Sequence, residues 1–322
     1  NPQSVFGRDV ISRIQVAQNP MNMRQMQRMV KSVLETGVKQ FLTKVGKIEN
    51  MYIAGNTTML NLLCGHDVQA LGYAPFQADF LQSEKVQVEG IKAVTLPGLS
   101  AFVGADIVAG ILAGGIHKHK EISLLVDLGT NGEMVLGNAD MLVACSTAAG
   151  PAFEGMLQAQ GKAVWGADII RYTAELLESG LLDENGLLQE PYFTEGITIG
   201  GVHITQDYIR SLQTAKAAVA AGINALVKEY GLKSNAEIDR VYLAGGFGYY
   251  LKEDSALAIG LLPESLKGKI QVVGNSALAG CYYYHFSTAV TTETDTIQTN
   301  TKVVNLAELK EFSLSFIQNM YL

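Results

Sequence analysis

From Met23 to Lys47 the residues Met26, Met29, Val30, Val33, Leu34, Val38, Phe41, Leu42 and Val45 recur at steps of three and four, which predicts a long amphipathic helix. It leads into Met51-Tyr52-Ile53-Ala54-Gly55-Asn56, read as a strand ending in an Ala-Gly turn. The same order returns later. Ile209, Leu212, Ala215, Val219, Ile223, Leu226, Val227 and Tyr230 mark one helical face between Gln206 and Tyr230, and Val241-Tyr242-Leu243-Ala244-Gly245-Gly246 follows. Each copy continues alike: Val94-Thr95-Leu96-Pro97-Gly98-Leu99-Ser100 before a small-residue helix matches Ile270-Gln271-Val272-Val273-Gly274-Asn275-Ser276 before another. The pattern is that of a duplicated α/β unit.

Between the copies, Ile122-Ser123-Leu124-Leu125-Val126 reads as a buried strand, Glu133-Met134-Val135-Leu136-Gly137 as a second, and Asn131-Gly132 as the hairpin turn joining them. Met141-Leu142-Val143-Ala144 is a third strand. These have no counterpart in the first copy, where the chain simply begins. The expected division is residues 1–120 as a first subdomain lacking its opening strands and 121–322 as a second. Ser287 to Thr301 holds seven threonines and reads as a flexible surface connection before a strand at Lys302-Val303-Val304-Asn305-Leu306 and a short helix from Ala307 to Met320.

Composition narrows the function classes. With 322 residues, 48% hydrophobic content and 33 glycines, the chain can bury a large core and divide into two domains. Its net charge of −7 argues against nucleic acid or an anionic membrane as the main ligand. The longest apolar run, Ala101 to Ile116, contains Asp106 and four glycines and is too short to span a bilayer. With no secretory leader visible, a soluble cytoplasmic protein is expected. Cys64, Cys145 and Cys281 lie far apart and are read as buried thiols, not as a disulfide framework or metal knuckle. His117-Lys118-His119-Lys120 is read as a solvated loop, and Trp165 and Tyr282-Tyr283-Tyr284 as packing at helix ends.

The segment with the most chemistry is Val126-Asp127-Leu128-Gly129-Thr130-Asn131-Gly132-Glu133. Gly129 and Gly132 remove side chains where a phosphate would approach backbone N–H groups. Thr130 and Asn131 add donors, and Asp127 is suited to holding Mg²⁺ through water. An ordinary Asn-Gly hairpin capped by a buried acid explains the segment equally well. It is neither the Lys-containing phosphate loop nor a G-x-G-x-x-G turn.

A duplicated α/β domain with an acidic-glycine hairpin and a late Ala-Gly-Gly turn resembles the actin, sugar-kinase and heat-shock ATPase superfamily, whose two like domains close on a nucleotide. In that comparison the segment at Asp127 to Glu133 looks like the second phosphate motif, and Leu243-Ala244-Gly245-Gly246-Phe247-Gly248 like the adenosine motif. A first phosphate hairpin is then expected upstream of Asn1. Asn1-Pro2-Gln3, Phe6-Gly7, Asp9-Val10-Ile11-Ser12-Arg13-Ile14, Gly55-Asn56-Thr57-Thr58-Met59, Cys145-Ser146-Thr147-Ala148-Ala149-Gly150-Pro151-Ala152-Phe153-Glu154-Gly155 and Ile204-Thr205-Gln206-Asp207 narrow the match. Together they closely resemble the C-terminal ATPase region of the reductive activators of corrinoid proteins.

The resemblance implies an ATPase whose ATP helps drive an electron from an upstream [2Fe–2S] domain onto a Co(II) corrinoid protein of a methyltransferase system. It implies Mg²⁺ at Asp127, with Gly129, Thr130, Asn131 and Gly132 facing the phosphates and Glu133 or Glu154 polarising water. Gly55, Asn56 and Thr57 would face the same cleft, Gly245, Gly246, Phe247 and Gly248 would take the adenosine, and Asn275 would close a turn between the domains. Homodimers are common in such folds. Two departures stand out. The chain holds no cysteine cluster for an iron–sulfur centre, and the Gly-rich segment that the family places before the helix at Asp168 to Leu177 is missing between Gly155 and Asp168. A small-molecule kinase of the same superfamily and a non-catalytic module that binds a corrinoid protein are the alternatives.

Overall fold

The computed structural model describes the chain except residues 1, 8, 130, 154–157, 160–161, 164–165 and 249, and the side chains at 151, 158–159, 162–163 and 247–248. The chain forms two compact units, Asn1–Ala113 with Ser276–Thr301, and Gly114–Asn275 with Lys302–Leu322. Among the described residues no helix is long and apolar enough to cross a membrane.

The first unit opens with α1 (Val10–Ala17) and α2 (Pro20–Val45). Asp9 caps α1 by accepting from the Ser12 amide, and Asn19 caps α2 by accepting from Met21, with Pro20 in the first helical turn where no amide is needed. The apolar positions expected along α2 divide in two. Val38 is buried with Leu34 and Leu42 packed near it, whereas Val33, Phe41 and Val45 are exposed. Next come β1 (Met51–Ile53), α3 (Thr57–Cys64), β2 (Lys85–Val88), β3 (Ile91–Thr95) and α4 (Ala105–Gly114). They form a three-stranded sheet in the order β1-β3-β2, with β1 parallel to β3 and β2 antiparallel to it. The apolar run that includes Asp106 is thus a core helix, with Ile107, Val108, Ile111 and Leu112 buried.

The second unit begins with β4 (Ser123–Leu128), β5 (Gly132–Gly137) and β6 (Leu142–Thr147). Short strands β7 (Gln158–Ala159) and β8 (Lys162–Ala163) follow, then α5 (Gly166–Glu178), α6 (Tyr192–Glu195), β9 (Ile197–Ile199), β10 (Val202–Ile204) and α7 (Gln206–Tyr230). The unit continues with β11 (Arg240–Ala244), α8 (Gly245–Gly248), α9 (Glu253–Ala258) and β12 (Ile270–Gly274). The chain then returns to the first unit as α10 (Ser276–Phe286) and α11 (Val290–Asn300), and ends in the second with β13 (Thr301–Val303) and α12 (Phe312–Gln318). The main sheet has the order β12-β11-β4-β5-β6-β13. α7 packs on it through Leu212, Ala215, Val219, Ile223 and Leu226, all fully buried. Gly222 brings that helix close, since a Cβ there would collide with Met134 and with the Thr147 methyl at 2.8 Å.

The duplication read from the sequence has a geometric form: β1 pairs with β3 in parallel as β11 pairs with β12, with α2 and α7 preceding and α4 and α10 following. Three local expectations need correction. The hairpin turn is not Asn131-Gly132. β4 and β5 pair down to Leu128↔Gly132, so Gly132 is a strand residue and not part of the turn. The threonine-rich segment is not a loop but the helix α11, in which Val290, Thr294 and Ile297 form a buried stripe. Several of its hydroxyls are satisfied within the helix, Thr294 donating to Val290 O at 3.0 Å, Thr296 to Thr292 O at 2.8 Å and Thr299 to Asp295 O at 2.8 Å. The terminal helix is also shorter than expected, because a 3₁₀ turn at Leu306–Glu308 precedes α12.

Candidate functional site

In the second unit, strand pairing assembles the acidic hairpin and the Ala-Gly-Gly turn side by side. Ala244 of β11 stands opposite Asp127 of β4, Asp127 opposite Glu133 of β5, and Glu133 opposite Ser146 of β6. Directly paired residues share a face of the sheet, so the two half-buried carboxylates lie side by side on neighbouring strands, in a row that crosses four strands. Like charges so placed repel, and a cation between them relieves the repulsion.

Gly245 joins the two motifs. Its φ of +90° is open to glycine, and a Cβ there would stand 2.8 Å from Asp127 Oδ1 and 2.9 Å from the Leu128 carbonyl oxygen. Gly246 next to it is exposed, and a Cβ there would meet nothing within 4 Å. Across the site, Gly129 donates its N–H to the Asn131 carbonyl at 3.0 Å, and a Cβ on it would touch only that oxygen, at 3.8 Å. Gly132 serves packing instead, since a Cβ there would lie 2.8 Å from Thr147 Oγ1. That hydroxyl is itself buried with no hydrogen-bond partner among the described residues. Open backbone at Gly129 and Gly246 beside paired carboxylates suits a polyphosphate with a divalent cation.

The Ser146-Thr147-Ala148-Ala149-Gly150 run leads to a 3₁₀ turn over Pro151–Phe153. Tyr208 of α7 fixes that turn by donating its hydroxyl to the Ala152 carbonyl at 2.6 Å, and burial pushes the phenol pKa well up, so it stays a donor. The Thr205 side chain, accepting from the Tyr208 amide, caps the helix that carries it.

In the first unit, Gly55 follows β1 and accepts from the Ala105 amide at 3.0 Å. Asn56 caps α3, its Oδ1 accepting from the Met59 amide at 2.9 Å, and the buried Thr57 hydroxyl donates to the Ser100 carbonyl at 2.5 Å. Both side chains therefore spend these atoms on the fold. Gly104 lets the N-terminus of α4 approach this turn, since a Cβ there would lie 2.6 Å from Asn56 Cα and 2.8 Å from Asp106 Oδ1. Asp106 is the residue that sequence reasoning passed over. Its carboxyl is pushed above the usual range by burial, against the lowering effect of the Ile107 amide that it accepts at 3.0 Å. Only its place as an acid in an apolar run marked it.

Of the predicted site residues, Asp127, Gly129, Asn131, Gly132, Glu133, Gly245 and Gly246 come together on β4, β5 and the end of β11. Gly55, Asn56 and Thr57 belong to the first unit, and Asn275 is exposed at the junction of β12 and α10. Thr130 and Glu154, like Trp165, lie outside the described residues, as do the side chains of Phe247 and Gly248.

Comparisons with known proteins identify the family of the chain. Residues 1–119 match the family described as the RACo middle region, and residues 121–167 and 157–322 match the C-terminal domain of RACo, the ASKHA domain. The corrinoid activation enzyme RamQ of Eubacterium limosum is 28% identical over 387 residues, covering 99% of this chain and 64% of RamQ. The [Co(II) methylated amine-specific corrinoid protein] reductase of Methanosarcina barkeri is 24% identical over 305 residues, covering 74% of this chain and 56% of the reductase. A solved reductive activator for corrinoid, iron–sulfur protein superposes with a TM-score of 0.89 at 30% identity, covering 100% of this chain and 61% of that one. The chain thus spans less than two thirds of the length of each of these relatives.

Proposed function

We propose, because the chain belongs to the RACo family of corrinoid-protein reductive activators and carries its middle region and its ASKHA domain, that it is the ATP-binding and ATP-hydrolysing module of such an activator. An ASKHA domain implies nucleotide binding. The observation that supports the reading in this chain is the row of Asp127 and Glu133 beside the Gly245 turn, where a side chain would strike the Asp127 carboxylate.

Bound MgATP would supply the free energy of phosphoryl transfer. Asp127 would hold the metal through its water shell, and the backbone at Gly129, Thr130, Asn131 and Gly132 would face the phosphates. The glycine backbone of the turn Gly245-Gly246-Phe247-Gly248 would take the adenosine, and Glu133 or Glu154 would polarise the attacking water. In the first unit the Asn56 oxygen and the Thr57 hydroxyl are engaged in the fold, so only the backbone of Gly55, Asn56 and Thr57 would be free to meet a phosphate. The reductase of Methanosarcina barkeri acts, by its name, on a methylated-amine-specific corrinoid protein. A corrinoid protein in the Co(II) state is accordingly the proposed partner, reduced to Co(I) by an electron from an iron–sulfur domain outside these residues.

The test is ATP turnover by the activator containing this module, with and without a Co(II) corrinoid protein. Turnover stimulated by the Co(II) protein supports the reading. Turnover that instead follows a small-molecule phosphate acceptor, with no response to the corrinoid, contradicts it.

A further inference from the structure

A second cluster of reactive side chains lies in the first unit, at the end of α3 opposite Asn56 and Thr57. Cys64 is the last residue of that helix, and Gly65 caps it in the left-handed conformation with φ 86°. The amides of Gly65 and His66 both donate to the Asn61 carbonyl at 2.9 Å, which turns the chain back so that His66 lies near Cys64. The Asn61 side-chain Nδ2 donates in turn to the Phe80 carbonyl at 3.2 Å, and the Phe80 ring stacks on the His66 imidazole at 4.1 Å between centroids. Glu84 arrives from the other direction at the start of β2. Its backbone is held by the Thr95 hydroxyl, which accepts from the Glu84 amide at 2.9 Å, and by the Thr95 amide, which donates to the Glu84 carbonyl at 2.9 Å.

These supports bring a thiol sulfur, an imidazole nitrogen and a carboxylate oxygen within 4.8 Å of one another. We propose that Cys64, His66 and Glu84 form a binding site for one zinc ion, with water in the fourth position. Sulfur, nitrogen and oxygen from three protein residues make a donor set suited to zinc and poorly suited to magnesium or calcium. A tetrahedral ion with bonds of about 2.0–2.3 Å sets its donors roughly 3.3–3.6 Å apart. His66 Nε2 and Glu84 Oε2 stand at 2.6 Å, so a small rotation of either side chain opens the pair around the ion. The His66 and Glu84 side chains are 34% and 31% exposed, which leaves an entry path and room for the water ligand. On binding, the zinc–sulfur bond forms as the thiol proton leaves to solvent.

The experiment loads the 322-residue chain with Co²⁺ or Zn²⁺ in the presence of excess Mg²⁺, which occupies oxygen-only sites. The expected result is one equivalent of Co²⁺ with a thiolate-to-cobalt charge-transfer absorption that Zn²⁺ displaces. Cys64→Ser removes that absorption, and His66→Ala and Glu84→Gln each weaken Zn²⁺ binding by about tenfold or more. A second measurement needs no variant: Zn²⁺ slows alkylation of Cys64 by iodoacetamide, followed peptide by peptide in the mass spectrum. Cobalt bound without the charge-transfer absorption, or Cys64 alkylated at the same rate with and without Zn²⁺, overturns the proposal. The three residues are then a hydrogen-bonded ion pair beside a half-buried thiol.

Discussion

At the residue scale, the candidate site turns on two neighbouring glycines with different duties. Gly245 is held at φ +90° against Asp127 and Leu128, whereas Gly246 has open space around it. Gly245→Ala is expected to lose about 1–3 kcal/mol of stability and most nucleotide affinity. Gly246→Ala is expected to leave stability within about 0.5 kcal/mol while weakening adenine nucleotide binding. Urea unfolding and nucleotide titration of both variants separate the two effects. Lys216 makes a second residue-scale case. Its ammonium group is buried on α7 and donates to the Tyr321 carbonyl, while Gln213 one turn before it donates to Met320 O at 2.8 Å, and together they hold the C-terminus. Burial lowers the lysine pKa from 10.5 to about 8. Between these values the unfolded chain binds a proton that the folded chain does not, so stability rises with pH across that window and is lost again as pH falls toward 8. Urea midpoints at pH 8 and pH 10 should show this rise in the parent and a smaller one in Lys216→Met.

At the scale of elements, the sequence was most legible where periodicity and caps agreed. The expected span of α7, Gln206 to Tyr230, is the observed one, because Thr205 caps its start and the left-handed Gly231 its end. α11 was illegible for the opposite reason. Its threonines carry low helix propensity, and of the buried stripe that stabilises it, Val290, Thr294 and Ile297, only two positions are apolar, too few to stand out in a polar segment. Ile297, fully buried in that stripe, should cost about 2–4 kcal/mol when changed to Ala, measured by chemical denaturation. A loss below about 0.5 kcal/mol would show that α11 contributes little to the first unit. The hairpin at Asp127 was legible as two strands and a glycine loop, but the exact turn was not. Gly132 is required by the Thr147 hydroxyl on β6, a contact that no local pattern records.

At the scale of the whole molecule, the duplication was visible because each copy repeats the order helix, strand, strand, helix, and the parallel pairs β1–β3 and β11–β12 give it physical form. What the sequence hid is that α10 and α11 join the first unit although they follow the second in the chain. The contact responsible is the close approach of Gly280 to Ala109, where a Cβ would collide with the α4 backbone. Asp106 and the Cys64, His66 and Glu84 cluster were hidden likewise, because tertiary packing and not spacing brings their atoms to their neighbours. Asp127, Glu133 and the glycines at 245 and 246 were legible as separate motifs, and only strand pairing shows them side by side. The central claim is that this row is a magnesium-nucleotide site, and titrating ATP into the folded chain with and without Mg²⁺ tests it most directly, comparing the parent with Asp127→Ala. Magnesium-dependent binding that Asp127→Ala abolishes, with an unchanged circular dichroism spectrum, is the predicted result. Binding of equal strength in the parent and the variant would contradict the claim.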